Sequence, residues 1–287
     1  VGPGVDLVVG SVGDPSIVGP LLRRRRIDAV LHCAARSLVA ESVRDPELYE
    51  RENVQGGTAL LAALREAGVH RFVFSSSAAV YGVPGDAPVT EDAPLRPINP
   101  YGDTKRRFEA ALGRAAVEAG MSAVTLRYFN VAGASAANGE VHAPETHLVP
   151  NVLAAVETGE PMIVFGDDYP TPDGTAIRDY VHVEDLGDAH LAALELVATG
   201  TPGLVALNLG SGTGFSVREV LDAAEVVVGR PVPRLVGPRR EGDPPVLVAA
   251  NDRARKMLGW TPRRGTLAEM IGSAWAWRQA HPGGYGE

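Results

Sequence analysis

Residues 71–77 read Arg-Phe-Val-Phe-Ser-Ser-Ser, and residues 100–105 read Pro-Tyr-Gly-Asp-Thr-Lys. The first stretch is a short apolar run that ends in hydroxyl groups, and it predicts a buried strand. The second stretch opens a long helical pattern over 100–119, with Asn99 as the N-cap and proline at the first helical position. Another apolar run at 123–131 predicts the next strand, so the three segments form a strand-helix-strand unit.

The same alternation of short apolar runs and helical patterns extends outward from this unit. The apolar runs lack in-out alternation, as expected when helices cover both faces of a parallel sheet. We therefore predict an α/β fold with a doubly wound, Rossmann-like sheet, followed by a smaller α/β portion. The further strands are predicted at 5–9, 29–35 and 204–209, and the further helices at 15–26, 46–67, 150–157, 185–198, 216–228 and 267–280.

Composition excludes several classes of protein. The chain has 35 acidic and 27 basic residues and a formal net charge of -8, which repels a phosphate backbone, so we expect no nucleic-acid partner. No apolar run is long enough to span a membrane, and no signal-peptide pattern is visible, so we expect a cytoplasmic protein without a membrane partner. Cys33 is the single cysteine, which excludes an internal disulfide and a thiolate metal cage. The spacing of His182, Glu184 and Asp185 fits a helix cap at Asp185 better than a metal site, so no metal is predicted.

The strongest candidate site combines Ser77 with Tyr101 and Lys105. Residues four apart share one face of a helix, so the phenol and the ammonium can meet. A phenol has a pKa of about 10, and lowering it by about three units takes roughly 4 kcal/mol, which a nearby cation can supply. A Tyr-x-x-x-Lys pair also occurs by chance on many helices. The serine-rich strand end and the use of lysine at only one other position, Lys256, favour a catalytic pair.

These three residues resemble the Ser/Tyr/Lys set of the extended short-chain dehydrogenases/reductases. Within that superfamily the chain is similar to the UDP-glucose 4-epimerase family from about Val5 to its C-terminus. The most discriminating stretches are Phe-Gly-Asp-Asp-Tyr-Pro-Thr-Pro-Asp-Gly at 165–174, Arg-Asp-Tyr-Val-His-Val at 178–183 and Pro-Arg-Arg-Glu-Gly-Asp at 238–243. Further matching segments lie at 32–35, 74–82, 127–130 and 145–150.

The resemblance implies NAD-dependent epimerisation of a UDP-hexose at C4, from UDP-galactose to UDP-glucose, by a homodimer. Tyr101, as a phenolate, takes the proton of the sugar 4-hydroxyl while C4 gives a hydride to NAD, and the 4-keto sugar turns before the hydride returns. Lys105 lowers the pKa of Tyr101 and holds the nicotinamide ribose, while Ser77 hydrogen-bonds the reacting oxygen. The resemblance assigns NAD contacts to Cys33, Ala34, Ala35, Asn53, Ser75, Tyr101, Lys105 and Tyr128.

The resemblance also implies the sites that bind the UDP-sugar. Two guanidinium groups facing a diphosphate are chemically sensible, because each can donate paired charge-assisted hydrogen bonds. Besides Ser77, the contacts fall on Asn130, His147, Leu148, Phe165, Arg178, Tyr180, Val217, Arg240 and Asp243.

The pattern of predicted elements places a domain boundary near Val131, and the resemblance implies what each part binds. Residues 1–131 are expected to form the NAD-binding domain, and residues 132–287 mainly the UDP-sugar-binding domain, with part of 178–200 packing back on the first. The family opens with a strand, a G-x-x-G-x-x-G loop and a helix that holds the cofactor pyrophosphate. The printed chain begins after that motif. We therefore expect either a fragment of a longer protein or a short form that cannot hold NAD in the usual way.

Other functions remain open from the sequence. Related dehydratases carry an Asp-Glu pair where this chain has Ala78 and Ala79, so dehydration is disfavoured. A 4-epimerase acting on a UDP-N-acetylhexosamine or a UDP-uronate remains possible. Leu247 occupies the position that limits bulk at the sugar C2 in the family, and we expect its modest size to admit N-acetylated sugars. A non-catalytic nucleotide-sugar-binding remnant is the alternative from another class.

Overall fold

Four parallel strands form the sheet that organises the N-terminal part of the molecule. A computed structural model describes residues 4–85, 88–240 and 242–285. The strands pair in the order β1-β2-β3-β7, and every pairing is parallel. Their bounds are β1 Val30–His32, β2 Arg71–Ser75, β3 Ser122–Tyr128 and β7 Gly203–Leu209.

Helices cover both faces of this sheet. On one face lie α1 (Pro15–Arg24), α4 (Gly56–Ala67) and α5 (Pro100–Glu118), and on the other lie α7 (Val183–Ala198) and α9 (Asp252–Leu258). The strands bury side chains in both directions: in β2, Phe72 and Phe74 pack towards α4 and α5, whereas Val73 packs towards α7. Burial on both faces explains the unbroken apolar runs and confirms the predicted doubly wound α/β fold.

The ends of α5 follow the predicted local chemistry. The Asn99 side chain accepts a hydrogen bond of 2.8 Å from the amide of Gly102, and Pro100 begins the helix. After the helix, Gly120 adopts a φ of 63°, a left-handed conformation that glycine tolerates best. The Asn99 cap fixes the start of α5, whose first turns contact the carboxyl end of β2 through Lys105 and Ser75, where the candidate catalytic residues lie.

The predicted helix over 46–67 is interrupted in the structure. The chain forms α2 (Val39–Arg44), α3 (Pro46–Tyr49), a π-helical segment (Glu50–Gln55) and then α4. The π segment continues the helical path with wider turns and is only six residues long, too short to show a period of its own in the sequence. Such segments recur at functional sites, and this one carries the candidate cofactor residue Asn53.

The C-terminal part builds a second core from α6 (Leu148–Thr158), α8 (Val217–Val228) and α10 (Leu267–Ala280). A mixed sheet orders β10-β6-β4, with β8 antiparallel to β6, and β5 pairs with β9. The strand bounds are β4 Asn130–Ala132, β5 Met162–Phe165, β6 Ile177–His182, β8 Gly214–Ser216, β9 Arg234–Gly237 and β10 Val246–Leu247.

Two sequence predictions about local structure are wrong. The run 5–9 forms no strand, and Val5, Leu7 and Val9 are well exposed, because a strand needs a hydrogen-bonded neighbour and the described residues supply none there. The cap of α7 is His182, whose Nδ1 accepts a hydrogen bond of 3.1 Å from the amide of Glu184. Asp185, predicted as the cap, lies inside the helix and accepts hydrogen bonds from the segment before α10.

The sheet of the N-terminal part includes elements from the C-terminal part of the chain. Both α7 and β7 follow the predicted boundary at residue 131 in the sequence, yet β7 pairs with β3 and α7 packs on the same sheet. The division into 1–131 and 132–287 stays a prediction, and the described contacts assign β7 to the sheet of the first part. Among the helices described, we find none with the length and apolarity that crossing a bilayer requires.

Candidate active site

Three consecutive serines end β2, and each has a different environment. The Ser75 carbonyl and hydroxyl both face the candidate site, where they contact Lys105 and His190. Ser76 donates a buried hydrogen bond of 2.5 Å from its hydroxyl to Glu109. Ser77 is extended and caps a short 3-10 turn, Ala78–Val80, by accepting a hydrogen bond of 3.1 Å from the amide of Ala79. The turn leads the chain away from the sheet and leaves Ser77 beside Tyr101.

Lys105 lies one helical turn after Tyr101 on the same buried face of α5. Its ammonium donates a hydrogen bond of 2.8 Å to the Ser75 carbonyl and lies 5.8 Å from the centroid of the Tyr101 ring. Burial lowers the pKa of Lys105 to about 8, although Cys33 and Glu109 both raise it. The structure therefore brings the predicted Ser77, Tyr101 and Lys105 together at the carboxyl end of β2.

The pKa of Tyr101 departs from the expected direction. Burial raises this pKa, and the hydrogen bond with the Ser77 hydroxyl lowers it by a smaller amount. The Lys105 ammonium faces the ring of Tyr101 and donates its hydrogen bond to the Ser75 carbonyl. Among the described residues, no hydrogen bond joins this ammonium to the Tyr101 phenol oxygen. In this arrangement, desolvation of the phenolate outweighs its stabilisation by the Ser77 hydroxyl.

The predicted cofactor residues of the β1 loop gather near Ser75. The Cys33 thiol lies 3.2 Å from the Ser75 hydroxyl, and the exposed Ala34 and Ala35 follow it. Tyr128, at the end of β3, is half-buried beside Ser75 and Tyr101, and desolvation is the main cause that raises its pKa. Small side chains at these strand ends leave the backbone accessible to a flat ligand.

Asn53 is engaged entirely in holding this loop. Its side-chain oxygen accepts a hydrogen bond of 2.8 Å from the Arg36 amide, and its side-chain nitrogen donates to the Arg36 carbonyl and the Thr104 hydroxyl. The residue therefore ties the loop after β1 to the first turns of α5. This arrangement supports a positioning role for Asn53 beside its predicted contact with the cofactor.

Sequence reasoning missed His190, which contacts the site from α7. Its Nδ1 lies 2.8 Å from the Leu186 carbonyl, so Nδ1 carries the hydrogen and Nε2 accepts a hydrogen bond of 2.8 Å from the Ser75 hydroxyl. Burial lowers the pKa of His190, which favours this neutral form. No local motif could reveal the contact, because His190 lies 115 residues beyond Ser75 in the chain.

A buried ion pair holds α5 against the sheet next to the site, and the sequence reasoning did not predict it. Arg127 on β3 donates a hydrogen bond of 2.6 Å to Glu109 on α5, and both side chains are less than a tenth exposed. Glu109 also accepts from Ser76 and Thr125. Since Glu109 follows Lys105 by one helical turn, the pair fixes α5 against the end of β2.

The predicted diphosphate residues form a second group. Arg178 on β6 donates a hydrogen bond of 2.6 Å to the Asp243 carboxylate, and the Arg240 guanidinium stacks 4.0 Å above the Phe165 ring. The Asp243 amide donates to the Arg240 carbonyl, which joins the two contacts.

Tyr180 and Asn130 link this group to the catalytic residues. They are register partners between β4 and β6, and the Asn130 side chain hydrogen-bonds the Tyr180 phenol. Burial raises the pKa of Tyr180 to about 12, against the lowering effects of Asn130 and Arg178. Asn130 follows Tyr128 by two residues, so the chain passes directly from the cofactor residues on β3 to the sheet that carries Arg178.

The remaining predicted residues lie at the starts of two helices. His147 and Leu148 begin α6, and Val217 begins α8 and packs on the second core. The His147 amide and Nδ1 both contact Glu145, at 2.8 and 3.0 Å, so any ligand contact from this side chain uses Nε2. Across the described ranges, no hydrogen bond joins these three residues to Arg178 or Arg240.

A nicotinamide cofactor fits the donors at the strand ends. The Lys105 ammonium has three N–H donors and spends one on the Ser75 carbonyl, which leaves two for ribose hydroxyls. The neighbouring Tyr128 and Cys33 border the same strand ends. The carboxyl edge of a parallel sheet is also where ligands bind in doubly wound folds.

The chain belongs to the NAD dependent epimerase/dehydratase family, whose model matches residues 3–210. A curated relative identifies a narrower group within this family, the UDP-glucose 4-epimerases. The chain is 48% identical to the UDP-glucose 4-epimerase of Lactobacillus helveticus, over 99% of this chain and 87% of that protein. The resemblance to this family that the sequence motifs predicted is thus confirmed.

Solved structures agree. The chain matches the UDP-glucose 4-epimerase of Bifidobacterium longum in complex with NAD⁺ and UDP, with a TM-score of 0.90 and 36% identity, covering 96% of this chain and 83% of that one. It also matches the UDP-Glc/GlcNAc 4-epimerase of Campylobacter jejuni, with a TM-score of 0.81 and 38% identity, over 94% and 83% of the two chains.

Proposed function

We propose that this enzyme interconverts UDP-galactose and UDP-glucose by NAD-dependent epimerisation at C4. The observation that carries the proposal is the triad of Ser77, Tyr101 and Lys105 at the carboxyl end of β2, in a chain that is nearly half identical to a UDP-glucose 4-epimerase. Bound NAD supplies the hydride acceptor and donor that inversion at C4 needs, and the protein supplies orientation and electrostatics.

The triad divides the work on the sugar 4-hydroxyl. Tyr101 accepts the hydroxyl proton and later returns it, since its phenol lies beside Ser77 and is shielded from water. Ser77 bridges the reacting oxygen. Lys105 holds the nicotinamide ribose with its remaining donors, and a positively charged ring near Tyr101 would lower the phenol pKa that burial raises in the structure described.

The second group holds the nucleotide diphosphate. Arg178 is mostly buried, and its present partner Asp243 keeps the guanidinium oriented at the edge of β6. Stacking on Phe165 orients Arg240 in the same way. Preoriented guanidiniums bind a diphosphate with a smaller loss of side-chain entropy, and each forms paired charge-assisted bonds. Asn130, His147, Leu148, Tyr180 and Val217 complete the proposed UDP-sugar site.

Leu247 is the residue that bears on which UDP-sugar the enzyme accepts. Leu247 pairs in register with Arg178 and packs beside Tyr81 and Phe129, so it lies next to the proposed diphosphate site. A leucine leaves more room than an aromatic side chain, which favours acceptance of UDP-N-acetylhexosamines as a second activity. The homology to a UDP-Glc/GlcNAc 4-epimerase supports this extension. A UDP-uronate is the alternative substrate, since the chain also resembles MoeE5 in complex with UDP-glucuronic acid and NAD, at 31% identity and a TM-score of 0.81. A non-catalytic remnant has no comparable support.

The experiment that tests the proposal uses the full-length protein. Incubation with UDP-galactose, followed by NMR of the sugar anomeric protons, should show conversion to UDP-glucose, and denaturation should release a nicotinamide cofactor. A protein that binds UDP tightly without converting UDP-galactose would instead be the remnant. The predicted homodimer and the cytoplasmic location rest on the sequence and its resemblance, and they stay predictions.

A further inference from the structure

A cluster of two histidines and two glutamates lies at the edge of the proposed UDP-sugar site, with which it shares His147. Glu140, His142, Glu145 and His147 occupy the loop that leads into α6, and we call them the loop cluster. One potential ligand atom from each residue lies within 4.8 Å of all the others. In the sequence the cluster reads His-x-x-Glu-x-His, with a further glutamate two residues before the first histidine. The sequence prediction of no metal rested on other residues, His182, Glu184 and Asp185.

The two imidazoles approach the same carboxylate. His147 Nδ1 lies 2.6 Å and His142 Nδ1 lies 3.1 Å from one oxygen of Glu140. Glu145 closes the other side, with its oxygens 3.0 Å from His147 Nδ1 and 3.9 Å from His142 Nδ1. The four side chains are between a fifth and a half exposed, so an ion can reach them from solvent.

Both imidazoles turn Nδ1 into the cluster, with their ring centroids 5.1 Å apart. Without a metal, a protonated His147 pairs with both carboxylates and a neutral His142 donates from Nδ1 to Glu140. A divalent ion can take the place of these protons, because it accepts both nitrogen lone pairs and balances both carboxylates.

We propose that the loop cluster is a binding site for a divalent first-row transition metal of the Zn²⁺ type. Two neutral imidazoles and two carboxylates provide four nitrogen and oxygen ligands, the number that closes a tetrahedral zinc site. Imidazole nitrogen disfavours Mg²⁺ and Ca²⁺, which prefer oxygen ligands. All four ligands come from the protein, so the site is of the structural kind and lacks an open position for catalysis.

The position of the loop cluster explains what the metal would do. The loop is anchored just before it, where the Tyr285 hydroxyl donates to the Gly139 carbonyl at 2.7 Å and accepts from the Gly139 amide. A metal would fix the following residues up to His147, which begins α6 beside the proposed substrate residue Leu148. Coordination through Nδ1 leaves His147 Nε2 for the sugar nucleotide.

The test measures metal binding directly, with tag-free full-length protein stripped by a chelator. Isothermal titration with Zn²⁺ should give one site per chain, and Co²⁺ should give the intense visible absorption of a tetrahedral ion. His142→Ala should weaken Zn²⁺ binding by more than about tenfold, since even outer-shell partners contribute 10–100-fold. Zn²⁺ should also raise the melting temperature of the wild type but not that of His142→Ala.

A matched variant separates the site from general histidine binding. His70→Gln changes an exposed histidine on the loop before β2, and it should bind Zn²⁺ as the wild type does. Equal melting temperatures of wild type and His142→Ala in chelator would show that the variant folds. Absence of Zn²⁺ binding by the wild type, or equal binding by His142→Ala, would overturn the proposal. Neither result bears on epimerisation, so this proposal and the proposed function fail separately.

Discussion

Lys105 donates a hydrogen bond of 2.8 Å to the carbonyl oxygen of Ser75, joining the first turns of α5 to the end of β2. The bond places an ammonium in an almost fully buried position. Burying a cation opposes its charge, and the low pKa of Lys105 records that cost. Several consequences of the proposed site can be measured through this contact and the residues around it.

The stability of the protein should depend on pH through Lys105. Burial lowers its pKa from 10.5 to about 8, so between these values the unfolded chain binds more protons than the folded one. Wild-type stability, measured by urea unfolding, should therefore rise relative to Lys105→Met from pH 8 to pH 10.5, by on the order of 3 kcal/mol at most. Lys256→Met, at an exposed lysine, should show no such trend. A difference that stays constant with pH would contradict the assignment.

Glu109→Gln should strongly destabilise the fold. The substitution leaves the buried Arg127 guanidinium without its carboxylate, and loss of one partner of a buried ion pair costs about 3–5 kcal/mol. Glu50→Gln is the matched control, because Glu50 pairs with Arg107 on the surface and such pairs contribute less than about 1 kcal/mol. Equal losses in urea unfolding would show that Glu109 does not support the site as described.

Two neighbouring arginines should differ in UDP binding. Arg240→Met removes a guanidinium proposed to bind the diphosphate, and hydrogen bonds to a charged group contribute about 1.5–3 kcal/mol, or roughly 10–100-fold in Kd. Arg239→Met should change the Kd for UDP little, since Arg239 is paired with Asp168 and stacks on Tyr169. Calorimetric titration with UDP decides between them, and a larger loss from Arg239→Met would reverse the assignment.

Leu247 should control the acceptance of N-acetylated sugars. The wild type is expected to turn over UDP-GlcNAc as well as UDP-galactose, whereas Leu247→Tyr should lose UDP-GlcNAc activity and keep UDP-galactose activity. The larger ring would occupy space beside Arg178, with which Leu247 pairs. An undetectable wild-type rate with UDP-GlcNAc beside rapid UDP-galactose turnover would refute the role of Leu247.

Local signals allowed much of the fold to be predicted. The unit of β2, α5 and β3 follows from an apolar run, an N-cap at Asn99 and a left-handed glycine at position 120, all of which act within a few residues. The strand predicted at 5–9 failed because strand formation depends on a neighbour that hydrophobicity cannot reveal. The π-helical segment was missed because its six residues, Glu50–Gln55, are too few to show a period of their own between the flanking helices.

The candidate site was predictable to a similar extent. Tyr101 and Lys105 lie four residues apart, so helix geometry alone brings them together. His190 and the ion pair of Glu109 with Arg127 depend on packing between distant elements, and no spacing in the sequence indicates them. The raised pKa of Tyr101 could not be predicted from the sequence either, because it depends on how deeply the phenol is buried.

The central claim is that the Tyr101 phenol moves the proton of the sugar 4-hydroxyl. Tyr49→Phe provides the control, because Tyr49 is also buried and its ring lies 6.5 Å from that of Tyr101, yet among the residues that the structure describes its hydroxyl bonds to Leu38 and Glu41 alone. That variant should remain active. The decisive measurement compares kcat for UDP-galactose and Kd for UDP between the wild type and Tyr101→Phe. We expect kcat to fall by about 10²–10⁴-fold with little change in Kd, and a Tyr101→Phe enzyme with wild-type kcat would contradict the claim.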